Sequence, residues 1–567
     1  MARDNDRKDN SDGQRLLVVG GVAGGASCAA RARRLSEEAE VIVFDRGPYV
    51  SFANCGLPYY IGDVITGEKD LLVATPELFK NRLNINVRVR SEVQEIDRKN
   101  SEIVVKDLQT GQTYRERYDS LLLATGSQPV RPNLQGIDLP GIFTLRTIPD
   151  SQLIKQWIAG KGVKEAVVVG GGFIGLEMAE NLTRLGVSVT IVEMLPHVIL
   201  TFDQEMAVQV HSRLESNGIK LCLGSPVTGF SSSAEGRIVV ETGPGRKIIS
   251  DMVILGIGVR PETTLARKAG LKIGELGGIR VNDLMQTSDE RIWAVGDAVE
   301  VRDFVTGEWI LTPLAGPANR QGRIAADNIF GRNRKFRGVQ ATAVCRIFET
   351  TVASTGISER TLKQYAEQGK PIPYEKVYLY SQNHADYYPG ASQIALKLIF
   401  STEDGRVLGA QAVGEEGVEK RIDVIAKAIQ MGASVYDLEE AELCYSPQVG
   451  SAKDAVNLAG MVAANVLRGD SPVVHWSSNS QANPVIIDVR EPEEFPDSHA
   501  KGAINIPLNS LRQSLDKLPR DKQISVYCEQ GQRSYYACRI LRLNGFDCRN
   551  ISGGMQIYRA LKQLERQ

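Results

Sequence analysis

The 567-residue sequence predicts an α/β protein of several domains, because a strand, glycine turn, helix and strand follow one another in two places. The first copy reads RLLVVGGVAGGASCAARARRL followed by AEVIVFD, and the second reads EAVVVGGGFIGLEMAENLTRLGVSVTIVEM. Each pattern is typical of a Rossmann-like dinucleotide-binding unit. The chain is too long for one hydrophobic core, so about three or four domains are expected.

Composition argues against several classes of protein. The 67 basic and 68 acidic side chains give a formal net charge of -1, which indicates no nucleic-acid or membrane partner. No apolar run approaches the roughly 20 residues of a membrane span, and the polar start predicts a disordered leader over residues 1–14 of a cytoplasmic protein. The eight cysteines lack C-x-x-C pairs, so we expect reduced thiols and no metal site.

The second nucleotide-binding pattern is complete. Gly170, Gly172 and Gly175 form a G-x-G-x-x-G sequence between a strand and a helix, which allows a tight turn and a close approach to a pyrophosphate. Glu193, 18 residues after Gly175, stands where a carboxylate would accept hydrogen bonds from a ribose 2′-hydroxyl. Because it would repel a 2′-phosphate, the sequence favours NADH over NADPH.

The first pattern departs from this rule at one position. Gly20 and Gly25 fill the first and third glycine positions, but Val22 takes the second. Asp45 ends the next strand, 20 residues after Gly25, and ATGS and VGDA follow further along the chain. These motifs occur in the order found in flavoproteins that bind two dinucleotides.

Over about residues 15–460 the chain resembles the pyridine nucleotide-disulfide oxidoreductases. The resemblance implies FAD in the first site, with Asp45 at the adenosine ribose, Thr125 and Gly126 along the cofactor and Asp297 at its ribityl chain. The FAD-binding positions implied are Gly20, Gly25, Asp45, Thr125, Gly126 and Asp297. Those implied for NADH are Gly170, Gly172, Gly175, Glu193 and Gly258.

The stretch VSFANCGLPYY contains one cysteine, Cys55, where many members of that superfamily carry a C-x-x-x-x-C pair. Position 60 is Tyr60, so this pair cannot form. The stretch resembles the single-cysteine branch, which contains coenzyme A-disulfide reductases, NADH oxidases and NADH peroxidases. One thiol beside a flavin can cycle through a sulfenic acid or form a mixed disulfide with an external thiol.

A basic cluster favours coenzyme A as the carrier of that external thiol. Arg31 and Arg34 share one face of the helix after the first glycine turn, although a solvated helix face would look the same. Arginine suits diphosphate recognition. The resemblance to coenzyme A-disulfide reductases implies that this helix borders the coenzyme A site, with Ser51 and Asn54 beside the thiol.

Two tyrosines lie in the segment that resembles the family's dimerisation domain. The spacing of Tyr387 and Tyr445 matches a pair that coenzyme A-disulfide reductases bring across a homodimer interface toward the cysteine. A tyrosine hydroxyl there can donate a hydrogen bond or a proton to a departing thiol. Tyr388 competes with Tyr387 for this position, and either could be a packing residue of the interface.

The C-terminal segment resembles a rhodanese, or sulfurtransferase, domain. In VYCEQGQRSYYACRIL, Cys528 begins a tight loop whose N–H groups, with the following helix, would stabilise a persulfide anion. Gly531 lies in this loop and Arg533 adds positive charge; the loop is one residue shorter than in related phosphatases, which suits a sulfur atom. An inactive rhodanese-like module is the alternative.

The resemblance therefore covers nearly the whole chain. It implies an FAD-binding domain (15–130 and 262–335), an NAD(P)H-binding domain (131–261), an α+β dimerisation domain (336–462), a linker (463–484) and an α/β rhodanese domain (485–567). The expected function is NADH-dependent reduction of coenzyme A persulfide or polysulfide to coenzyme A and hydrogen sulfide, through a Cys55 mixed disulfide and with Cys528 supplying sulfane sulfur. Coenzyme A-disulfide reduction, NADH oxidation, and a sulfur-sensing role for the rhodanese domain remain open.

Overall fold

The computed structural model describes residues 13–243, 245–479, 484–496 and 498–566. Residues 1–12 of the predicted leader lie outside this description. The chain divides into two units, Met1–Ile191 with Val227–Ala341, and Val192–Pro226 with Thr342–Gln567.

The secondary structure up to residue 341 alternates between strands and helices. The strands are β1 (Arg15–Val19), β2 (Glu40–Phe44), β3 (Asn86–Arg88), β4 (Ser91–Asp97), β5 (Glu102–Asp107), β6 (Thr113–Arg117), β7 (Ser120–Leu123), β8 (Ser127–Pro129), β9 (Ile142–Phe143), β10 (Glu165–Val169), β11 (Ser188–Val192), β12 (Lys220–Cys222), β13 (Val227–Ser232), β14 (Ile238–Thr242), β15 (Arg246–Ser250), β16 (Met252–Leu255), β17 (Val259–Pro261), β18 (Ile279–Arg280), β19 (Ile292–Ala294), β20 (Val299–Arg302) and β21 (Trp309–Ile310). The helices are α1 (Ala23–Arg33), α2 (Leu57–Ile61), α3 (Pro76–Leu83), α4 (Ile148–Lys161), α5 (Phe173–Arg184), α6 (Gln204–Ser216), α7 (Thr264–Lys268) and α8 (Ala315–Ile329).

The first sheet of the first unit positions the predicted FAD site. Its strand order is β19-β7-β1-β2-β3, and every pairing is parallel. The strands are runs of buried apolar residues, as expected for a parallel sheet that is covered on both faces. Because the carboxyl ends of parallel strands share one edge, Gly20, Asp45, Thr125 and Asp297, which follow four of these strands, meet there.

The second nucleotide-binding pattern forms a similar sheet in the same unit. Strands β11, β10, β16 and β9 lie side by side in that order, with β10 and β9 parallel to β16. Gly170 follows β10 directly, and Gly258 follows β16 after two residues. Smaller sheets accompany these two, in the orders β4-β5-β6, β13-β14-β15, β18-β20-β21 and β17-β8.

The remaining elements belong to the second unit. The strands are β22 (Ala343–Ile347), β23 (Thr350–Gly356), β24 (Tyr374–Gln382), β25 (Gln393–Ser401), β26 (Val407–Gly414), β27 (Val473–Val474), β28 (Val485–Asp488), β29 (Ile504–Asn505), β30 (Ile524–Tyr527) and β31 (Cys548–Ile551). The helices are α9 (Glu359–Glu367), α10 (Val418–Met431), α11 (Val435–Glu439), α12 (Ala455–Leu467), α13 (Trp476–Asn479), α14 (Gln532–Leu543) and α15 (Gly554–Arg566).

The second unit contains two five-stranded sheets of different kinds. The antiparallel sheet has the order β22-β23-β26-β25-β24, and the parallel sheet has the order β27-β31-β30-β28-β29. The described part of the predicted linker over 463–484 holds the end of α12, β27 and α13. Because β27 pairs with β31, the parallel sheet begins before residue 485.

A buried group of charges lies inside the second unit. The Lys397 ammonium, with no exposed surface, is 2.8 Å from Asp203, 2.6 Å from Glu205 and 2.8 Å from Glu359. Lys376 also contacts Glu359, at 2.5 Å. The three carboxylates lie close enough together to hold a metal ion, but the ammonium of Lys397 contacts all of them. We call these five residues the Lys397 cluster.

The observed architecture confirms the predicted fold class, with two dinucleotide-binding patterns, an α+β part and a C-terminal parallel sheet. Among the residues that the structure describes, no helix is both long enough and apolar enough to cross a membrane.

Candidate active site

A cavity of about 930 Å³ opens at the edge of the first sheet where its strands end. This volume lies at the upper end of the usual range for ligand sites, as an extended dinucleotide requires. Its lining includes the predicted positions Gly20, Asp45, Cys55, Thr125, Gly126 and Asp297.

The glycine turn of this cavity needs glycine for steric reasons. A Cβ atom on Gly20 would lie 2.2 Å from the carbonyl oxygen of Ala124, and Gly20 has a φ of +97°. A Cβ on Gly25 would lie 1.8 Å from the carbonyl oxygen of Gly20. Gly25 therefore serves close packing of α1 against the turn, while Val22, at the second position, lines the cavity.

Polar groups around the cavity have fixed orientations. The Asp45 carboxylate accepts hydrogen bonds from the backbone N–H groups of Gly21, at 2.9 Å, and Gly47, at 2.8 Å. Burial raises the pKa of this carboxyl group, and these two hydrogen bonds act in the opposite direction. Asp297 accepts a hydrogen bond of 2.8 Å from Ser127. The acidic groups and the glycine turn thus fit the ribose and pyrophosphate of FAD.

A second cavity, of about 560 Å³, adjoins the same cysteine. Cys55 lies in the short helical turn Asn54–Gly56, is exposed, and lines both cavities. Its thiol therefore stands between the predicted flavin site and a separate chamber. This position allows one sulfur atom to meet ligands from both sides.

The second cavity contains most of the predicted coenzyme A positions. Arg34, Ser51 and Asn54 line it, but Arg31 does not. The guanidinium of Arg31 instead forms an ion pair with Asp327, at 2.7 Å. Helical spacing alone could not separate the two arginines, because the partner of Arg31 lies almost 300 residues further along the chain.

Three lining residues that sequence analysis missed lie on α1 and α8. They are Ser27, Asn319 and Arg323. The two helices are in very close contact, since a Cβ on Gly322 would lie 2.2 Å from the carbonyl oxygen of Gly24. Within the described residues, no ion pair joins Arg34 or Arg323 to an acid, so both guanidinium groups are available to an anionic ligand.

A half-buried glutamate, Glu177, influences the reactivity of Cys55. Although Cys55 is exposed, neighbouring groups partly desolvate its thiol and raise its pKa, and the charges of Glu177 and Asp297 raise it further. Burial also raises the pKa of Glu177 to about 7, although Tyr59 donates a hydrogen bond of 3.5 Å to its carboxylate. Above that pH, an ionised Glu177 therefore favours the protonated thiol over the reactive thiolate.

Replacing Glu177 with glutamine should make Cys55 ionise at lower pH. Removal of one nearby negative charge is expected to shift the pH midpoint of Cys55 alkylation downward by about half a unit. The measurement is the rate of iodoacetamide labelling of Cys55 against pH, followed by mass spectrometry of its peptide. An unchanged midpoint in Glu177→Gln would contradict the electrostatic coupling.

The second glycine turn has the geometry of a nucleotide-binding turn. A Cβ on Gly170 would lie 2.4 Å from the carbonyl oxygen of Gly256, and one on Gly175 would lie 2.0 Å from that of Gly170. A Cβ on Gly172, which precedes α5, would instead meet no atom within 4 Å, so the backbone there is open to a ligand. Gly258 is open in the same way.

Glu193, the predicted ribose ligand, directly follows β11. Its side chain is buried, and its carboxylate accepts a hydrogen bond of 2.9 Å from the backbone N–H of Leu195. This bond fixes the carboxylate at the end of the strand, which is where the sequence predicts contact with a ribose.

The two predicted tyrosines of the second unit are brought together. The hydroxyl groups of Tyr387 and Tyr445 are 2.7 Å apart, and the two side chains are 71% and 51% exposed. This hydrogen bond raises the pKa of Tyr387. The competing Tyr388 packs its ring edge-to-face against His384. Tyr387 is therefore the partner of Tyr445.

The predicted rhodanese loop connects β30 to α14. Cys528 is only 2% exposed, and its sulfur accepts a hydrogen bond of 3.1 Å from the backbone N–H of Gly531. The Ser534 hydroxyl, which sequence analysis did not single out, lies 3.4 Å from the same sulfur. The loop thus presents donors to the sulfur at the N-terminus of α14, as a thiolate or persulfide requires.

Arg533 does not supply the free charge that the sequence suggested. Its guanidinium forms two hydrogen bonds with Glu494, at 2.6 and 2.8 Å. These bonds lower the pKa of Glu494 to about 2, so the carboxylate stays ionised and neutralises Arg533. Glu494 lies 39 residues before Arg533, which is why local sequence could not reveal the pairing.

Three family models match the chain. The model described as pyridine nucleotide-disulphide oxidoreductase matches residues 14–321, and the dimerisation domain of that family matches residues 342–455. The rhodanese-like domain matches residues 474–561.

Curated relatives match the chain along nearly their whole length. An NADH oxidase of Methanocaldococcus jannaschii is 38% identical over 446 residues, which are 78% of this chain and 97% of the relative. A coenzyme A disulfide reductase of Staphylococcus haemolyticus is 34% identical over 454 residues, which are 80% of this chain and 100% of the relative.

Two solved structures extend the similarity across the C-terminal segment. The reduced CoADR-RHD of Bacillus anthracis is 45% identical with a TM-score of 0.94, over 97% of this chain and 98% of that one. The NAD-dependent persulfide reductase of A. fulgidus is 37% identical with a TM-score of 0.88, over 96% of this chain and 100% of that one.

Proposed function

Because this chain belongs to the pyridine nucleotide-disulphide oxidoreductase family and carries a rhodanese-like domain, we propose that it reduces sulfane sulfur bound to coenzyme A. Membership of the family implies FAD and NAD(P)H as cofactors. We take NADH as the electron donor, since the Glu193 carboxylate would repel the 2′-phosphate of NADPH. The products would be coenzyme A and hydrogen sulfide.

The observation that carries this proposal is the position of Cys55 between two cavities. One cavity has the acids and glycine turn that suit a dinucleotide. The other has two arginines, Arg34 and Arg323, that form no ion pair with any described acid, and the polar side chains of Ser51 and Asn54, which suit the phosphates and amides of coenzyme A.

The proposed reaction uses Cys55 as the nucleophile. Its thiolate attacks the inner sulfur of a coenzyme A persulfide, so the persulfide S–S bond breaks, hydrosulfide leaves, and a disulfide joins Cys55 to coenzyme A. FAD, when bound, would supply the two electrons from NADH that cleave this disulfide. Cys55 then returns to its thiolate and coenzyme A leaves as a thiol.

The Tyr387 and Tyr445 pair supports a role for a second copy of the chain. Two exposed hydroxyls held 2.7 Å apart form a donor that can protonate a leaving thiolate. We propose that this pair lies at a homodimer interface and serves the Cys55 site of the other copy. Cys528 would load sulfane sulfur from polysulfide or another donor and pass it to coenzyme A or directly to the flavin site.

The function is tested by comparing acceptors under anaerobic conditions. We expect coenzyme A persulfide to give a higher kcat/KM for NADH oxidation than coenzyme A disulfide, with one hydrogen sulfide formed per NADH. A higher kcat/KM for the disulfide would favour the activity named for the Staphylococcus haemolyticus relative. Rapid NADH consumption with oxygen as the only acceptor would favour the NADH oxidase activity named for the Methanocaldococcus jannaschii relative.

Substituting the two arginines of α1 and its flank tests the second cavity as the coenzyme A site. Arg34→Ala should raise KM for the coenzyme A substrate about tenfold with little change in kcat, because a charge-assisted bond to phosphate is lost. Arg31→Ala is the matched comparison, since Arg31 is engaged by Asp327 and does not line the cavity. An equal or larger rise in KM for Arg31→Ala would restore the original prediction that both arginines bind the ligand.

A further inference from the structure

Three arginines in the described part of the chain lie in or contact the Cys528 loop, and each is paired with an acid. Arg533 pairs with Glu494, and Arg559 pairs with Glu529. Arg490 pairs with Asp488 at 2.7 Å and lies 3.4 Å from Glu529. In these pairs three positive charges in and beside the Cys528 loop are balanced by the carboxylates of Asp488, Glu494 and Glu529.

Glu529 is the acid nearest to the sulfur along the chain, because it directly follows Cys528. Its carboxylate accepts hydrogen bonds from both terminal nitrogens of Arg559, one of them at 3.1 Å, and from Arg490. The side chain of Arg490 is buried and cannot turn away. Glu529, which is 24% exposed on its side chain, is thereby held at the loop.

This balance of charge bears on which sulfur donors the loop accepts. A dianion such as thiosulfate loses its hydration when it enters a largely buried site, and it needs uncompensated positive charge there. A persulfide on a thiol carries its sulfane sulfur at the end of an arm, and its other charges can stay in water. The paired charges of the Cys528 loop therefore disfavour thiosulfate much more than a persulfide carried on a thiol.

We propose that Glu529 is a specificity-determining residue that makes the Cys528 loop select sulfane sulfur carried on a thiol and reject thiosulfate. The inference rests on the proposed sulfur-carrying role of Cys528 and refines it. Glu494 contributes in the same direction by neutralising Arg533.

The transfer itself is the same for both donors. The Cys528 thiolate attacks the outer sulfur of the donor, a new S–S bond forms, and the donor's own S–S bond breaks. A thiol persulfide releases its carrier thiolate, whereas thiosulfate releases sulfite. In both cases Cys528 keeps the sulfane sulfur as a persulfide, so the reaction needs no external oxidant or reductant.

The test measures sulfur transfer to cyanide by the full-length protein from two donors, thiosulfate and glutathione persulfide. Glu529→Gln should raise kcat/KM for thiosulfate about tenfold, mainly through a lower KM, because it removes a unit charge close to a dianion. The value for glutathione persulfide should change less than about threefold, because its sulfane end carries at most one negative charge whereas thiosulfate carries two. A purely structural role of Glu529 would change both donors together.

Two further variants distinguish an effect of charge from an effect on folding. Glu494→Gln removes a different carboxylate and should also raise the thiosulfate value, whereas Glu565→Gln, an exposed acid of α15 paired with Lys562, should leave both donors unchanged. Unchanged thiosulfate transfer in Glu529→Gln would overturn the proposal, whatever the result for Glu494→Gln. Absence of transfer from both donors in the unmodified protein would remove the role of Cys528 and this inference with it, while leaving the Cys55 reaction untouched.

Discussion

Replacing Cys55 with serine is expected to lower NADH-dependent reduction of coenzyme A persulfide by about a thousandfold or more. The cysteine is the proposed nucleophile, and serine cannot form the mixed disulfide on which the reaction depends. The measurement is steady-state production of hydrogen sulfide and NAD⁺ by the purified variant with its flavin content determined. Because the volume of the side chain barely changes, flavin binding should be retained.

The chain provides a matched control for this substitution. Cys55 and Cys444 are the two exposed cysteines among the eight, and the other six are buried. Cys444→Ser should therefore keep nearly full activity while removing the other exposed thiol. Persulfide reduction at the normal rate by Cys55→Ser would rule out the covalent route.

Replacing Lys397 with methionine is expected to destabilise the second unit by about 3–5 kcal/mol, because it leaves buried carboxylates without their shared cation. Lys397 has no exposed surface and contacts Asp203, Glu205 and Glu359 within 2.8 Å. The measurement is the midpoint of urea unfolding followed by far-ultraviolet circular dichroism. Lys363→Met is the control, since Lys363 pairs with Glu359 from an exposed position and should cost less than about 1 kcal/mol.

The pH dependence of this effect has a definite sign. Burial would raise the pKa of Glu359 and of Glu205, but the charge of Lys397 outweighs it and both pKa values lie below the ordinary value. Their contribution to stability is therefore present above the pKa of an unfolded glutamate and is lost as the pH falls through the folded value. The deficit of Lys397→Met should therefore be smaller at pH 3 than at pH 7. A deficit that does not depend on pH would mean that lost packing, not charge, explains it.

Local sequence was sufficient to predict both glycine turns. Gly20 and Gly170 each follow a buried parallel strand, and the residues that a nucleotide needs lie within a few positions of such strands. Strand periodicity and glycine spacing are properties of short segments, so the sequence alone contains them. The same holds for Cys528 and Gly531, which belong to one loop.

Arg323 and Glu494, which sequence analysis missed, depend on long-range contacts. Arg323 reaches the second cavity only because α8 packs against α1, and Glu494 reaches Arg533 across 39 residues. Arg31 and Arg34 look equivalent on a helical projection, yet Asp327 engages only the first. Tertiary packing sets the partner of each charged group, and spacing along the chain does not predict it.

The contact between Gly24 and Gly322 also has a consequence for the evolution of this site. The two backbones touch at these glycines, and neither position has room for a side chain. The distance between α1 and α8 is therefore independent of side-chain size. Substitutions elsewhere on these helices can then change the polarity and charge of the chamber beside Cys55 while its width stays constant. Relatives with the same pair of glycines could thus acquire different thiol carriers as substrates without rebuilding the scaffold.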